Sequence, residues 1–425
     1  MYIYSSLIHI SLVNPLFNIV IATDKFKGSL SASEASLSIA HGLRLGAIKL
    51  NLPSDLKVSV IPLADGGEGF LSVAGRSGFF KRKEVNVVDP LGRSLKSHYL
   101  LSEEEPFAVI EMALASGLGL LEKDEYNPME TTSYGLGQLI SAAVNEGVNH
   151  IKLGIGGSAT NDGGAGMLQA LGFSFRDRNG NLIRGGDDEY MSGSALHEIY
   201  TIEDSSVKRE LKRVKISVAC DVDNPLVGPL GATYIYAPQK GADELALIQL
   251  ESGMRNFAEA VERHLGFNSS FLCDSSSFVG YDFSDFPGSG AAGGVGFALR
   301  SFLRAELLPG WRVAAELTDA EEMISKADLV ISGEGRLDSQ TLSGKLVEGI
   351  SILAKRYGKP FWVYCGENSL TEEETQLSNI TRIFEILKIA NGLNDSISRS
   401  KWYLEKISEE SATFLCELQS NRQTI

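Results

Sequence analysis

Short apolar runs that end in glycine or aspartate and then give way to helical spacing recur along this chain. Residues 18–24, Asn-Ile-Val-Ile-Ala-Thr-Asp, open the series and lead through a loop at 25–30 to Ser31 and Glu34. That pair predicts a capping box, a hydroxyl and a carboxylate satisfying the N–H groups left over at a helix start. A second run at 58–63 leads to Asp65-Gly66-Gly67-Glu68-Gly69, and a third at 83–88 meets the turn Asp89-Pro90-Leu91-Gly92. Later runs occupy 328–332, 360–365 and 383–389. Uninterrupted apolar strands alternating with helices predict a parallel sheet covered on both faces.

Between 89 and 290 the pattern is less regular. Leu136, Leu139, Ile140, Ala143 and Val144 fall on one face of a helix predicted over 132–146. Strands are predicted over 151–155 and 215–220, with a hairpin turn at Arg178-Asn179-Gly180-Asn181. The expected fold is α/β: a Rossmann-like doubly wound parallel-sheet domain (17–88 plus 291–425) interrupted by a second, inserted α/β domain (89–290). Ligands of open α/β sheets bind outside the carboxyl ends of the strands, where strand order reverses. A substrate cleft is therefore expected between sheet and insert. The segment 397–418 reads as an amphipathic surface helix.

Composition narrows the function. The 425 residues exceed one average domain, and 43% hydrophobic with 22% charged residues is ordinary for a soluble globular protein. A net charge of -15 argues against nucleic acid, a partner that favours a basic surface. It leaves room for a small anion held by local Lys, Arg and backbone N–H groups. Cys220, Cys273, Cys365 and Cys416 lie far apart, giving neither a disulfide framework nor a zinc site, and the expected location is cytoplasmic. Residues 1–23 carry no charged side chain, yet no basic segment precedes them and His9, Asn14, Pro15 and Asn18 interrupt the apolar stretch. Residues 1–16 thus read as an N-terminal extension rather than a signal peptide, and no membrane partner is expected. Nothing in the sequence indicates oligomeric state.

The 44 glycines cluster beside Ser, Asn, Asp and Glu, the composition of loops that wrap a ligand. Phosphoryl transfer needs positioned phosphates, a divalent cation and an aligned nucleophile, and several loops suit it. Asp24-Lys25-Phe26-Lys27-Gly28-Ser29 offers amides at a helix start with Lys27 beside them. Asp65 or Glu68 could hold a metal or a substrate hydroxyl. Residues 154–166, including Gly157, Ser158, Asn161 and Asp162, are dense enough in glycine to form an anion-binding nest. Asp221-Val222-Asp223-Asn224-Pro225 groups two carboxylates, which an ordinary Asx turn would also explain. Residues 288–294, with Gly290, Gly293 and Gly294, precede a helix at 295–303 and offer a second phosphate site. Gly333-Glu334-Gly335-Arg336-Leu337-Asp338 continues to Thr341 and Gly344-Lys345, combining acid, guanidinium and ammonium as a metal–phosphate clamp requires. Gly154-x-Gly156-x-x-Ala159 and Gly288-x-Gly290-x-x-Gly293 resemble dinucleotide fingerprints, but the second lacks a preceding strand. They motivate one alternative, an NAD(P)-dependent hydroxy-acid oxidoreductase. A non-catalytic metabolite-binding protein of the same fold is another.

Taken in order, these motifs resemble the type-1 glycerate kinase family from about residue 18 to 391. The resemblance rests on Asp24-Lys-Phe-Lys-Gly-Ser-Leu30, Pro62-Leu-Ala-Asp-Gly-Gly-Glu-Gly69 and Asp89-Pro-Leu-Gly-Arg93. It continues through 154–166, Ala219-Cys-Asp-Val-Asp-Asn-Pro-Leu226, Pro238-Gln-Lys-Gly241, 288–294 and 333–345. It implies a two-domain enzyme that transfers phosphate from ATP to D-glycerate with Mg²⁺ and favours 2-phosphoglycerate as product. Thr23 and Lys25 depart from the Pro and Ser frequent in the first motif. On this reading Arg336, Lys345 and the loop of Gly290, Gly293 and Gly294 hold ATP phosphates, while Glu334 or Asp338 helps hold Mg²⁺. Lys27 and the loop of Gly157, Ser158 and Asn161 engage the glycerate carboxylate or transferred phosphate, with Asp65 and Glu68 as further substrate contacts. Asp162, Asp221 or Asp24 accepts the attacking hydroxyl's proton.

Overall fold

The computed structural model describes residues 17–52, 56–61, 70–75, 80–184, 190–266, 284–342 and 345–422. Its strands, in chain order, are β1 Phe17–Ile21, β2 Leu56–Val60, β3 Phe80–Val88, β4 Ser94–Ser102, β5 Phe107–Glu111, β6 His150–Gly154, β7 Ser174–Arg176, β8 Thr201–Glu203, β9 Lys215–Ala219, β10 Glu306–Leu308, β11 Leu329–Leu337, β12 Phe361–Asn368 and β13 Arg382–Glu385. Contacts divide the chain into two compact units, Met1–Leu63 with Asp319–Ile425, and Ala64–Thr318.

The first unit is built on a parallel sheet of order β13-β12-β11-β1-β2. Side chains alternate across it. Ile19, Ile21, Ile331, Trp362 and Tyr364 share a core with Ile39 and Leu43 of helix Ala32–Lys49 and with Tyr403 and Leu404 of helix Ser400–Ser411. Val20, Val330, Phe361 and Val363 alternate with them and are also buried, and helix Leu346–Arg356 packs on β11 and β12. Burial on both faces explains the continuous apolar strands. Helix Ala32–Lys49 begins with the predicted capping box of Ser31 and Glu34. In chain order β1 connects outward to β2 on one side, and β11 connects to β12 and β13 on the other. The switch point, where a doubly wound sheet takes its ligand, therefore lies between β1 and β11.

The second unit has a mixed sheet of order β10-β9-β6-β5-β4-β3, in which β3–β4 and β4–β5 are antiparallel and the remaining pairs parallel. Helices Tyr134–Asn145, Ala165–Ala170 and Glu244–Leu265 contribute to its core, as do Val295, Phe297, Ala298 and Leu299. The expected boundaries at 88/89 and 290/291 are corrected to 63/64 and 318/319. The run at 83–88 does not join the sheet of β1; it pairs with β4 across the Asp89–Gly92 turn. Likewise β10 pairs with β9, and helix Ala291–Leu303 packs within this unit. Residues 292–294 have φ of 54°, 68° and 93°, so regular helix begins at Val295. The single closing helix expected over 397–418 is instead three, Leu393–Ser398, Ser400–Ser411 and Thr413–Arg422. Among the described residues no helix is long and apolar enough to cross a membrane.

Candidate active site

Side chains predicted to handle phosphate gather at the switch point of the first unit. The Asp24 amide donates to the Gly333 carbonyl at 2.8 Å, and Ser332 Oγ donates to the Ala22 carbonyl at 2.7 Å, so the exits of β1 and β11 are tied together. The Phe26–Leu30 turn is closed by paired backbone bonds. A Cβ at Gly335 would stand 3.0 Å from the Lys27 nitrogen, which shows how closely this turn lies on β11. Thr23, buried, donates to the Ala32 carbonyl and hydrogen-bonds Ser36, so this departure from the commoner motif is an internal tie; Lys25 is exposed.

Glu334 carries a strongly perturbed carboxyl. Burial pushes its carboxyl up to about 7; a Thr341 hydrogen bond and Lys345 oppose the shift, while the charges of Asp24 and Asp338 add to it. Its Oε1 is buried with no partner among the described residues. The Asp338 amide donates to Thr341 Oγ1 at 3.0 Å, and the Thr341 amide donates to the Asp338 carbonyl at 2.9 Å, a reciprocal turn that fixes both residues. Arg336 is exposed, its Nε 3.8 Å from both Asp338 Oδ2 and Glu367 Oε2. Such long exposed pairs hold little energy and leave the guanidinium able to engage an anion. Lys345, exposed, stands at the N-terminal boundary of helix Leu346–Arg356 and makes no side-chain capping bond. Asp24, Glu334 and Lys345 thus interact electrostatically, with Asp338, Thr341 and Arg336 on the same strand exit.

The Gly-rich loop at 154–166 lies in the second unit, after β6. Asn161 and Asp162 are fully buried. Asp162 Oδ2 accepts from the Ser133 amide (2.8 Å), Ser133 Oγ (2.7 Å) and the Gly166 amide (3.2 Å), and Oδ1 accepts from the Gly164 amide (3.1 Å). Burial raises this carboxyl and the four donors pull the other way. Those bonds fasten the loop to the start of helix Tyr134–Asn145, a positioning task that favours anchoring over accepting a substrate proton. Asn161 Nδ2 donates to Thr233 Oγ1 at 3.1 Å. Gly157 has φ of 69°, and its carbonyl accepts from the Leu118 amide. Ser158 Oγ accepts from Lys240 Nζ at 2.9 Å.

The glycines at 288–294 are explained largely by packing. A Cβ at Gly293 would lie 2.0 Å from the Thr160 carbonyl oxygen, and one at Gly290 would lie 2.3 Å from that of Pro225. The Gly290 amide donates to Asn224 and the Gly293 carbonyl accepts from Gly163. A Cβ at Gly294 would lie 2.7 Å from the Gly163 Cα. Asp221 is exposed and its Oδ1 accepts from the Gly310 amide at 2.7 Å, at the start of helix Gly310–Leu317. Asp65 and Glu68 lie outside the described residues. Neither dinucleotide-like motif has the strand-to-helix turn that such a site needs. The helix after Gly154 begins only at Ala165, and Gly288 follows a turn rather than a strand.

Sequence reasoning missed Lys240, Ser133 and the reciprocal role of Thr341 as site-forming side chains. Lys240 stands in the quoted Pro238-Gln-Lys-Gly241 motif, and its residue type would suggest a solvated cation. Its burial follows from the turn Pro238–Lys240, which ends in left-handed Gly241 packed against the Tyr126 backbone.

A parallel sheet carrying acids and cations at its switch point defines the class: doubly wound α/β proteins. The comparisons specify it further. A model of the glycerate kinase family matches residues 19–416. A glycerate kinase of Halalkalibacterium halodurans is 39% identical over 394 residues, 93% of this chain and 97% of that one. A glycerate 2-kinase of Escherichia coli is 40% identical over 380 residues, 89% of this chain and 92% of that one. A crystal structure from Salmonella typhimurium LT2, assigned to a glycerate kinase 2, has a TM-score of 0.73 at 36% identity and covers 95% of this chain and 100% of that one. The chain belongs to the glycerate kinase family.

Proposed function

We propose that this protein is a cytoplasmic kinase that transfers the γ-phosphate of ATP to D-glycerate, with Mg²⁺, giving 2-phosphoglycerate. Family membership supports the kinase reading, and the name of the Escherichia coli relative favours the 2-position. The observation that carries the site is Glu334, a half-buried carboxyl with a partnerless buried oxygen, next to two further acids and Lys345.

That donor set fits a magnesium ion, because clustered carboxylates with an unmet oxygen are stabilised by a cation. Among the described residues no group of three or more His, Cys, Asp or Glu could hold a metal by itself. Glu334 or Asp338 would therefore share the ion with phosphate oxygens and water, the usual manner of Mg²⁺ in kinases. When bound, the ion neutralises charge that develops on the phosphate oxygens. Arg336 and Lys345 would hold the phosphates, and Lys27 an anionic group of substrate or product. The glycerate hydroxyl oxygen bonds to the γ-phosphorus as the bond to the β–γ bridging oxygen breaks, and ADP leaves. Of the three candidate bases, Asp24 suits the hydroxyl proton best. Asp162 is saturated with donors and Asp221 holds the start of a helix. The loose transition state makes positioning and charge stabilisation weigh more than that base.

The test is ADP release from Mg-ATP by the purified protein, with and without D-glycerate. Release that depends on glycerate and is abolished by EDTA is expected. Release indifferent to glycerate would contradict the proposal.

A further inference from the structure

The second unit contains a lysine almost wholly removed from water. Lys240 is 2% exposed, and its Nζ donates to Ser158 Oγ at 2.9 Å and to the Thr160 carbonyl at 2.7 Å. An ammonium has donors only, so Ser158 Oγ must accept, and the serine's own proton has to be donated elsewhere. No acceptor within the protein takes that proton among the described residues. Three further buried side-chain atoms on adjoining segments also lack partners among the described residues: Ser116 Oγ, Thr160 Oγ1 and Asn161 Oδ1. The Ser116 carbonyl accepts from the Ala159 amide and Gly117 bridges to Ser158, which places these residues side by side.

Buried polar atoms in folded proteins are nearly always paired, because an orphan forfeits its hydration for nothing. Ser158, Thr160 and Asn161 lie on one loop, opposite Ser116 and on top of Lys240. Of these, Ser158 at 9% exposure is the one with surface that a ligand can reach, whereas Ser116, Thr160 and Asn161 are sealed at 0%. We infer that Ser158 is a substrate contact, its hydroxyl held by Lys240 as an obligatory donor to a carboxylate or hydroxyl oxygen of the hydroxy acid. Lys240 is then a positioning residue that acts through Ser158. The inference rests on the functional reading above and adds to it a residue pair and a direction of hydrogen bonding.

Asp162 makes the arrangement self-consistent. Burial raises its carboxyl overall and the four donors partly offset that; in the ionised form its charge supports the buried ammonium. Burial lowers Lys240 to about 7 in spite of that support, so the ammonium form prevails below neutrality. A lysine that merely ties two loops together predicts something different: loss of stability on substitution, with no selective effect on glycerate.

The test is steady-state kinetics of the full chain with Ser158→Ala, Lys240→Met and the double variant, varying glycerate and ATP separately. Ser158→Ala is expected to raise KM for glycerate about tenfold or more, the size of one hydrogen bond with a charged group behind it. The KM for ATP should stay within about threefold. Lys240→Met should raise the same KM, and adding Ser158→Ala to it should cost little more, since the serine has already lost its orientation. Should Lys240→Met fail to fold, Ser158→Ala decides alone. An unchanged glycerate KM in Ser158→Ala, or equal rises in both KM values, would overturn the inference while wild-type turnover persists. Absence of wild-type turnover with glycerate would instead overturn the functional reading, and this inference with it.

Discussion

Glu334 and Asp162 are both shielded from water, and their partners give them opposite uses. Asp162 is surrounded by donors, while Glu334 keeps an oxygen without one and sits among like charges. Asp338→Asn and Lys345→Ala are each expected to lower turnover by about 100-fold or more, the usual effect of removing one group that stabilises transferred charge. Thermal midpoints should stay near wild type, and near-wild-type turnover in both would refute the clamp. Lys240 gives a second prediction. Below about pH 7 it is protonated whether folded or unfolded, and the cost of burying its charge is present in full. Between about 7 and its ordinary value of 10.5 the unfolded chain binds the proton more, so that cost falls as pH rises. The stability of wild type relative to Lys240→Met, from urea midpoints, should therefore increase from pH 6.5 to pH 9; a constant difference would contradict the burial argument. The switch-point acids and cations were legible in the sequence because they cluster in the two short segments at the ends of β1 and β11. Asp162 looked the same as they did, since its partner Ser133 is far away in sequence and only folding reveals that its oxygens are taken.

Glycine-rich segments look alike in sequence, yet these elements use them differently. The Phe26–Leu30 turn and the loop after β6 carry polar side chains to strand ends, whereas residues 288–294 let backbones meet. Gly293→Ala would place a Cβ 2.0 Å from the Thr160 oxygen at a φ of 68°. It should destabilise the protein by about 3 kcal/mol or more, a clash added to left-handed strain. Urea denaturation would measure this, and a loss under about 1 kcal/mol, typical of a surface change, would show that the loop can yield. The capping box at Ser31 and the strands leading into β1, β6, β9 and β11 could be read from local signals. The sheet to which β3 belongs could not. An apolar run before a turn suits either a parallel or an antiparallel partner, and the choice is made by contacts distant in sequence.

At the scale of the molecule, one unit is assembled from both ends of the chain and the other from the continuous stretch Ala64–Thr318. The continuous unit has its own six-stranded sheet and core. A fragment of residues 64–318 is therefore expected to fold alone and unfold cooperatively. A fragment without a cooperative transition by circular dichroism would show that its core depends on the rest of the chain. The α/β alternation and the interruption of one sheet by an insert were legible from periodicity. The boundaries were not, because the run at 83–88 pairs within the insert's sheet and the helix after residue 290 packs within the insert as well. Glycerate itself follows from family membership, since the residues alone lead only to a phosphate-handling site. The most direct test of the account is NMR analysis of the product formed from Mg-ATP and D-glycerate. The account predicts 2-phosphoglycerate with stoichiometric ADP; unphosphorylated glycerate after prolonged incubation with folded protein would contradict it.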